Sequence, residues 1–201
     1  MGRRRDDARV AQAWIELVSD DPEAVSALAV ARAHLAAGQK LRSLRRMRLL
    51  ELRGRLPERP ALEALLHRST QFYNPHKERC VIRTTETDPP PLGVGERVVL
   101  VFERGGARRG AAERWWLHET GAPVEVREGV AWALAYDDAG EAGVEDLALV
   151  RGRRHGLLCN PHSQEFRVAE ERVPLRWLNG TDASETTAGR RPRRNPTRSK
   201  R

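Results

Sequence analysis

The residue pattern of this chain changes near position 70, and that change limits the possible folds more than any other feature. Before it, apolar residues recur three and four positions apart, as on one face of an α-helix. After it, short segments rich in β-branched and aromatic residues alternate with turns. The sequence therefore predicts an α+β protein, with a helical N-terminal segment followed by a small antiparallel β-barrel or sandwich.

Four helices are predicted within the N-terminal segment, residues 1–69. The first covers the apolar positions between Ala8 and Val18. The second begins at Asp21, where an N-capping carboxylate precedes a proline in the first turn. The third runs from about residue 39 to residue 52, and the fourth begins at Pro60. A helical hairpin is thus expected ahead of the β-rich region.

The β-rich domain is predicted to span residues 70–178, and a further segment follows it. The expected strands are 71–73, 79–85, 96–103, 114–118, 124–127, 130–136, 146–151, 156–159, 165–168 and 173–177. Residues 179–201 contain no aromatic residue and almost no apolar side chain, so a disordered basic tail is expected there.

Positive charge is concentrated at the two ends of the chain. The formal net charge is +8, from 36 basic and 28 acidic residues, but the middle of the chain is close to neutral. The basic residues expected to contact phosphate lie in helix 39–55 and in the tail: Arg42, Arg45, Arg46, Arg53, Arg190, Arg191, Arg193 and Arg194. The function predicted from this pattern is non-catalytic binding of RNA or DNA without sequence specificity.

Two alternatives to nucleic-acid binding remain open at this point. Almost all basic residues are arginine, which a GC-rich genome also produces through its codon usage. The chain would also suit a protein–protein adaptor, in which an exposed Trp116 and the Phe72–Tyr73 edge anchor a protein partner. The oligomeric state stays open.

The tripeptide Asn-Pro-His occurs twice, and each copy lies close to a cysteine. His76 and Cys80 accompany the first copy, and Cys159 and His162 accompany the second. Two imidazoles and two thiolates form a donor set that zinc accepts, so a structural zinc site is one interpretation. The other is that Asn-Pro-His marks two turns with exposed histidines, while Cys80 faces the core. No other cofactor is predicted.

The sequence lacks the motifs that would identify an enzyme or a membrane protein. It contains no Gly-x-Ser-x-Gly elbow, no P-loop and no His-Glu-x-x-His pair, so catalysis is not favoured. No apolar run approaches the length of a membrane span, and Asp6 and Asp7 interrupt the charged start where a signal peptide needs apolar residues. A cytoplasmic protein with reduced thiols is expected.

Overall fold

The computed structural model describes residues 8–105, 107–137, 143–151, 155–169 and 172–178. Strands and helices alternate along most of this length. The strands are β1 (Arg9–Leu17), β2 (Leu41–Gly54), β3 (Glu78–Arg83), β4 (Arg97–Glu103), β5 (Ala107–Arg108), β6 (Val124–Tyr136) and β7 (Gln164–Ala169). The helices are α1 (Pro22–His34), α2 (Arg59–His67), α3 (Gly110–Thr120) and α4 (Val144–Ala148).

Six long strands form one open antiparallel sheet in the order β3-β1-β2-β6-β4-β7, and the short β5 also pairs with β6. The central pair, β2 with β6, is the longest and runs from Leu41 opposite Tyr136 to Gly54 opposite Val124. The edges are β3 and β7, which do not pair with each other. The prediction of a closed barrel or a sandwich is therefore wrong.

The prediction of a helical N-terminal segment is also wrong, because the described chain begins with β1 and the third predicted helix is β2. Both strands are buried on both faces: Ala13 and Trp14 are neighbours, and each is almost fully buried. A strand of that kind shows no alternation of apolar and polar residues, so its pattern resembles that of a buried helix. The helices predicted from Asp21 and Pro60 are confirmed as α1 and α2.

The helices pack on one face of the sheet, in two apolar clusters. One cluster joins α2 and α3 through Leu62, Leu66, Ala112 and Trp116. The other joins α1 and α4 through Ala24, Ala31, Leu147 and Ala148. Each cluster thus combines helices from before and after residue 90, which ties the two parts of the chain into one body. No described helix combines the length and apolar character needed to cross a bilayer.

The opposite face of the sheet is covered by residues 172–178, called here the crossing segment. Trp177 packs on Trp14, with ring centroids 6.3 Å apart. Leu178 lies over Gly129, where an added Cβ atom would approach Leu178 Cδ2 to 3.0 Å and Leu100 Cδ1 to 2.8 Å. A glycine in the middle of β6 therefore leaves the space that the crossing segment fills.

Buried polar side chains of the sheet bind the backbone of the crossing segment. The amide of Gln12 donates to the carbonyl oxygens of Pro174 and Leu175 at 2.8 and 3.0 Å. Arg83 donates to the carbonyl oxygen of Val173 at 3.1 Å. The carboxylate of Glu51 accepts from the amide of Leu178 at 2.7 Å. Because unpaired polar groups are costly in an apolar core, these bonds fix the crossing segment in position.

Candidate functional site

The arginines predicted to contact phosphate from a helix lie instead on the central strand β2. Arg45 is enclosed by acceptors: it donates to Glu16 at 3.0 Å, to Glu96 at 2.7 and 3.1 Å, and to the carbonyl oxygen of Pro91 at 2.9 Å. These bonds raise the pKa of Arg45, with the hydrogen bond that it donates to Glu96 as the main cause. Its positive charge is therefore neutralised by acidic side chains of the same chain.

Arg46 is also neutralised within the fold. It lies 2.8 Å from a carboxylate oxygen of Glu23 and 3.3 Å from one of Asp21, and its guanidinium lies over the ring of Trp132. Arg42 and Arg53 are exposed. Alternation along a strand places Arg45 and Arg53 on the face opposite to that of Arg46, so these residues do not form the expected basic ridge. Arg190, Arg191, Arg193 and Arg194 lie outside the described residues. The basic helix predicted to carry this interface is therefore corrected to a strand on which Arg45 and Arg46 are engaged by acidic side chains.

The four residues of the predicted zinc site do not meet. His76 and Cys80 belong to the β3 edge, whereas Cys159 and His162 precede β7 at the opposite edge. Five strand spacings separate the edges, which amounts to roughly 24 Å. Among the residues that the structure describes, no group of three or more His, Cys, Asp or Glu side chains is arranged to hold a metal ion. The zinc prediction is therefore wrong.

Both Asn-Pro-His copies form the same turn. The side-chain oxygen of Asn74 accepts from the amide of His76 at 3.1 Å, and that of Asn160 accepts from the amide of His162 at 3.0 Å. The histidine side chains are exposed. The alternative interpretation of the motif as a pair of turns is thus confirmed, and the turn chemistry accounts for the asparagines.

The two cysteines are free, and both thiols have raised pKa values. Burial raises the pKa of Cys80 to about 12, and the charge of Glu63 adds to this effect. Burial also raises the pKa of Cys159. Because the thiolate is the nucleophilic form, neither cysteine is prepared for covalent catalysis.

Two of the three aromatic residues expected to anchor a protein partner are not on the surface. Trp116 and Phe72 are both 0% exposed and pack against each other, with ring centroids 6.3 Å apart. Trp116 lies on α3, in a segment that the sequence predicted to be a strand. The apolar surface of both rings therefore belongs to the core, so neither Trp116 nor Phe72 is placed to anchor a partner, whereas Tyr73 is half-buried.

A pocket of about 420 Å³ lies at one end of the sheet, and we call it the end pocket. It forms where the start of β1, the β2–α2 connection, the residues after β3 and the crossing segment converge. Its lining comprises Ala8, Arg9, Val10, Ala11, Leu56, Pro57, Glu58, Arg59, Leu62, Thr84, Thr85, Leu175 and Arg176. Because these residues come from four separate segments, no local sequence motif marked the pocket.

The end pocket combines an apolar floor with a charged rim. Its floor includes Leu56, Leu62 and Leu175, which are buried in the folded chain. Arg9 and Arg59 at the rim each contact an acidic side chain, Glu58 at 2.5 Å and Glu63 at 3.0 Å. Apolar walls with a few convergent polar groups are the usual composition of a small-molecule site.

Arg176 is the rim cation best placed to bind an anionic ligand. It is exposed and forms no ion pair with another residue in the described part of the chain. Its neighbours Leu175 and Trp177 are buried, which fixes the backbone that carries it. An arginine on a fixed backbone at the mouth of an apolar pocket suits a phosphate or carboxylate group.

The threonines of the end pocket belong to a rigid turn. The carboxylate of Asp88 accepts from the amides of Thr84 and Thr85 at 2.7 and 3.0 Å. These bonds, led by that from the Thr84 amide, hold the pKa of Asp88 below its usual value. Asp88 is thus negatively charged at neutral pH, and it holds this wall of the pocket in one conformation.

Other cavities in the described residues are lined by fewer large aliphatic side chains than the end pocket. A groove of about 490 Å³ beside Arg53, Arg55 and Arg108 has a larger volume than the end pocket, but it is lined mainly by polar and small residues. A pocket of about 320 Å³ lies next to Arg46 and Arg48, whose guanidinium groups are already engaged by carboxylates. The end pocket is therefore the candidate functional site.

Comparison with known proteins gives one informative similarity. The chain is 34% identical over 104 residues to an FMN-dependent NADH:quinone oxidoreductase of Cupriavidus necator. The match covers 52% of this chain and 42% of the relative, so it spans less than half of the relative's length. No protein-family model matches the chain. No solved structure matches it either.

Proposed function

We propose that this chain binds FMN in the end pocket and acts in flavin-linked oxidation–reduction chemistry. The similarity to an FMN-dependent oxidoreductase suggests the ligand, and the end pocket supplies a place for it. This proposal replaces both the nucleic-acid-binding role and the expectation of no cofactor. The cytoplasmic location predicted from the sequence is part of the same proposal, and the two free cysteines support it.

The residues of the end pocket fit FMN in size and in chemistry. FMN joins a planar tricyclic ring to a ribityl chain that ends in phosphate. The volume of about 420 Å³ lies within the range of small-molecule sites. Leu56, Leu62 and Leu175 would contact the ring, and Arg176 would hold the phosphate. The bound flavin would supply the hydride-accepting chemistry, whereas the residues of the chain bind and orient it.

Arg176 at the mouth of an apolar pocket is the observation that carries the proposal. If its charge holds the phosphate, riboflavin, which lacks the phosphate, should bind more weakly than FMN. A hydrogen bond between charged groups contributes about 1.5–3 kcal/mol, which corresponds to at least a tenfold change in affinity. The same loss is expected for FMN when Arg176 is replaced by alanine.

The experiment is a titration of the purified protein with FMN and with riboflavin, followed by flavin fluorescence. We expect wild-type protein to bind FMN at least tenfold more tightly than riboflavin, and Arg176→Ala to remove that difference. Arg172→Ala is the matched control, because Arg172 lies in the same crossing segment but does not line the pocket. Absence of FMN binding up to about 1 mM, the weak end of specific affinity, would overturn the proposal. Protein that binds FMN is then assayed for NADH oxidation with a quinone acceptor.

A further inference from the structure

The two parts of the chain are built on the same plan. Each part contributes a strand, a helix, a long strand, a second helix, an Asn-Pro-His turn and an edge strand. We name residues 8–83 the first unit and residues 95–169 the second unit. The strand order of the sheet, β3-β1-β2 followed by β6-β4-β7, is the same order read from each edge toward the centre.

Equivalent positions in the outer strands are 86 residues apart. Asn74 and Asn160 begin the two turns, and β3 (Glu78–Arg83) corresponds residue by residue to β7 (Gln164–Ala169). The backbone bonds that follow are also equivalent. The Val18 amide donates to the Lys77 carbonyl, and the Arg104 amide donates to the Ser163 carbonyl, each at 2.9 Å. One shared tripeptide is weak evidence of duplication, but a constant displacement through paired strands is strong evidence.

The central strands are related by a two-fold axis. Leu44 faces Leu134, and Leu52 faces Val126. Positions in β2 and β6 that are 82 residues apart are equivalent, so Leu44 corresponds to Val126 and Leu52 to Leu134. Exchange of the two strands therefore converts the first facing pair into the second. The axis then passes through the pair Arg48 and Val130, which face each other in the register. This is the geometry of a symmetric dimer whose central strands pair antiparallel.

Neither unit encloses an apolar core alone. Trp116 and Ala112 of the second unit pack in the cluster that contains Phe72 and Leu66 of the first. In return, Ala24 and Ala31 of the first unit pack in the cluster that contains Leu147 of the second. Separation would expose both clusters, so each unit needs a partner in order to bury its helices.

The residues at the axis favour two unlike units over two copies of the first unit. Pairing of β2 with a second β2 in the equivalent register would place Arg48 opposite Arg48, and like charges directly opposite are destabilising in a sheet. In the actual pair, Arg48 faces Val130 and reaches Glu128 at 3.4 Å. Arg46 faces Trp132 and contacts its ring, with the guanidinium carbon 5.9 Å from the centroid.

We propose that this chain is a dimer joined into one polypeptide, in which each unit is the specific partner of the other. The surface of recognition is the β2–β6 seam with the two shared helix clusters, and Arg48 opposite Val130 is the feature that disfavours self-pairing.

The test uses the full chain with a protease site inserted between Gly93 and Val94, where Val94 is fully exposed. After cleavage, we expect native mass spectrometry to find both fragments in one 1:1 complex. Unfolding and refolding of the cleaved protein should restore that complex, with little of either homodimer. Fragments that separate under native conditions, or that refold into a random mixture of the three pairings, would overturn the proposal.

A second experiment avoids complete refolding and examines Arg48 directly. Cleaved protein with an isotope label and cleaved protein without it are mixed in moderate denaturant, and the exchanged pairs are counted by mass. Wild-type fragments should exchange into mixed 1:1 pairs only. Arg48→Val should produce detectable pairs of first units, whereas Arg53→Val, an exposed arginine of the same strand, should not. Exchange into homodimers by wild-type protein would contradict the role of Arg48.

Discussion

Glu78 and Gln164 occupy equivalent positions in the two units, and each accepts a hydrogen bond from the backbone amide of the turn asparagine, at 2.6 and 3.0 Å. Only Glu78 also pairs with an arginine, since Arg48 lies 3.1 Å away. The position equivalent to Arg48 holds Val130. In the second unit, uncharged residues therefore replace both members of the Arg48–Glu78 ion pair. The turn beside this pair is present in both units.

The two turns should contribute equally to stability. Asn74→Ala and Asn160→Ala each remove one side-chain bond to a backbone amide, so each should lower the free energy of unfolding by about 1 kcal/mol. His76→Ala and His162→Ala serve as controls and should change it by less than about 0.5 kcal/mol, because both side chains are exposed. Urea unfolding measures all four variants. A large effect of either histidine variant would show that the rings have a role beyond the turn.

The buried guanidinium of Arg83 should be among the most important polar groups for stability. It donates to the side chain of Gln12 at 2.7 Å and to the carbonyl oxygens of Asp88 and Val173 at 2.7 and 3.1 Å. Arg83→Met would leave the carbonyl oxygens of Asp88 and Val173 without this donor and would remove one of the two bonds to Gln12, at a cost of about 2–4 kcal/mol. Arg79→Met, an exposed change on the same strand, should have almost no effect. Equal melting temperatures for the two variants would contradict this account of the crossing segment.

Stability should depend on Glu96 at neutral pH but not in acid. Burial of Glu96 alone would raise its pKa, but the bonds from Arg45 and from the Gly93 amide lower it below 4.5. A carboxylate with a lowered pKa stabilises the fold above its unfolded pKa, and this contribution is lost as the pH falls through the folded pKa. Glu96→Gln should therefore cost about 1 kcal/mol near neutral pH, and the difference should disappear in acid. Denaturant unfolding of both proteins from neutral to acidic pH measures this difference in the free energy of unfolding.

The sequence predicted local features of this fold better than it predicted the arrangement of the strands. The cap at Asp21 and the helix at Pro60 were identified because their signals are local: a side-chain acceptor, a proline and a run of apolar positions. β2 was mistaken for a helix because it is rich in leucine and arginine, which favour helices, and because both of its faces are buried.

The candidate site could not be predicted from the sequence, for a related reason. The arginines that attracted attention, such as Arg45 and Arg46, are engaged by acids that are distant in sequence, including Glu96 and Asp21. Arg176 has no local feature that sets it apart from the other arginines. Only the fold shows that it lies beside an apolar pocket.

Alkaline pH should destabilise the protein in two stages that separate variants can resolve. Burial raises the pKa of Cys80 from 9.0 to about 12 and that of Tyr136 from 10.0 to about 12. In each case the unfolded chain loses its proton first. Between the unfolded and folded pKa values, the unfolded state therefore binds fewer protons, and stability falls as the pH rises. The slope for one group is at most about 1.4 kcal/mol per pH unit.

Cys80→Ala should reduce the loss of stability that begins near pH 9, and Tyr136→Phe should reduce only the part that begins near pH 10. Tyr136→Phe should also raise stability at neutral pH by about 1 kcal/mol, because the Tyr136 hydroxyl is buried without a hydrogen-bond partner in the described residues. Urea unfolding at a series of pH values measures both effects. If both variants keep the wild-type slope up to pH 12, the two groups titrate at their ordinary values in the folded protein, and their burial is not as the structure shows it.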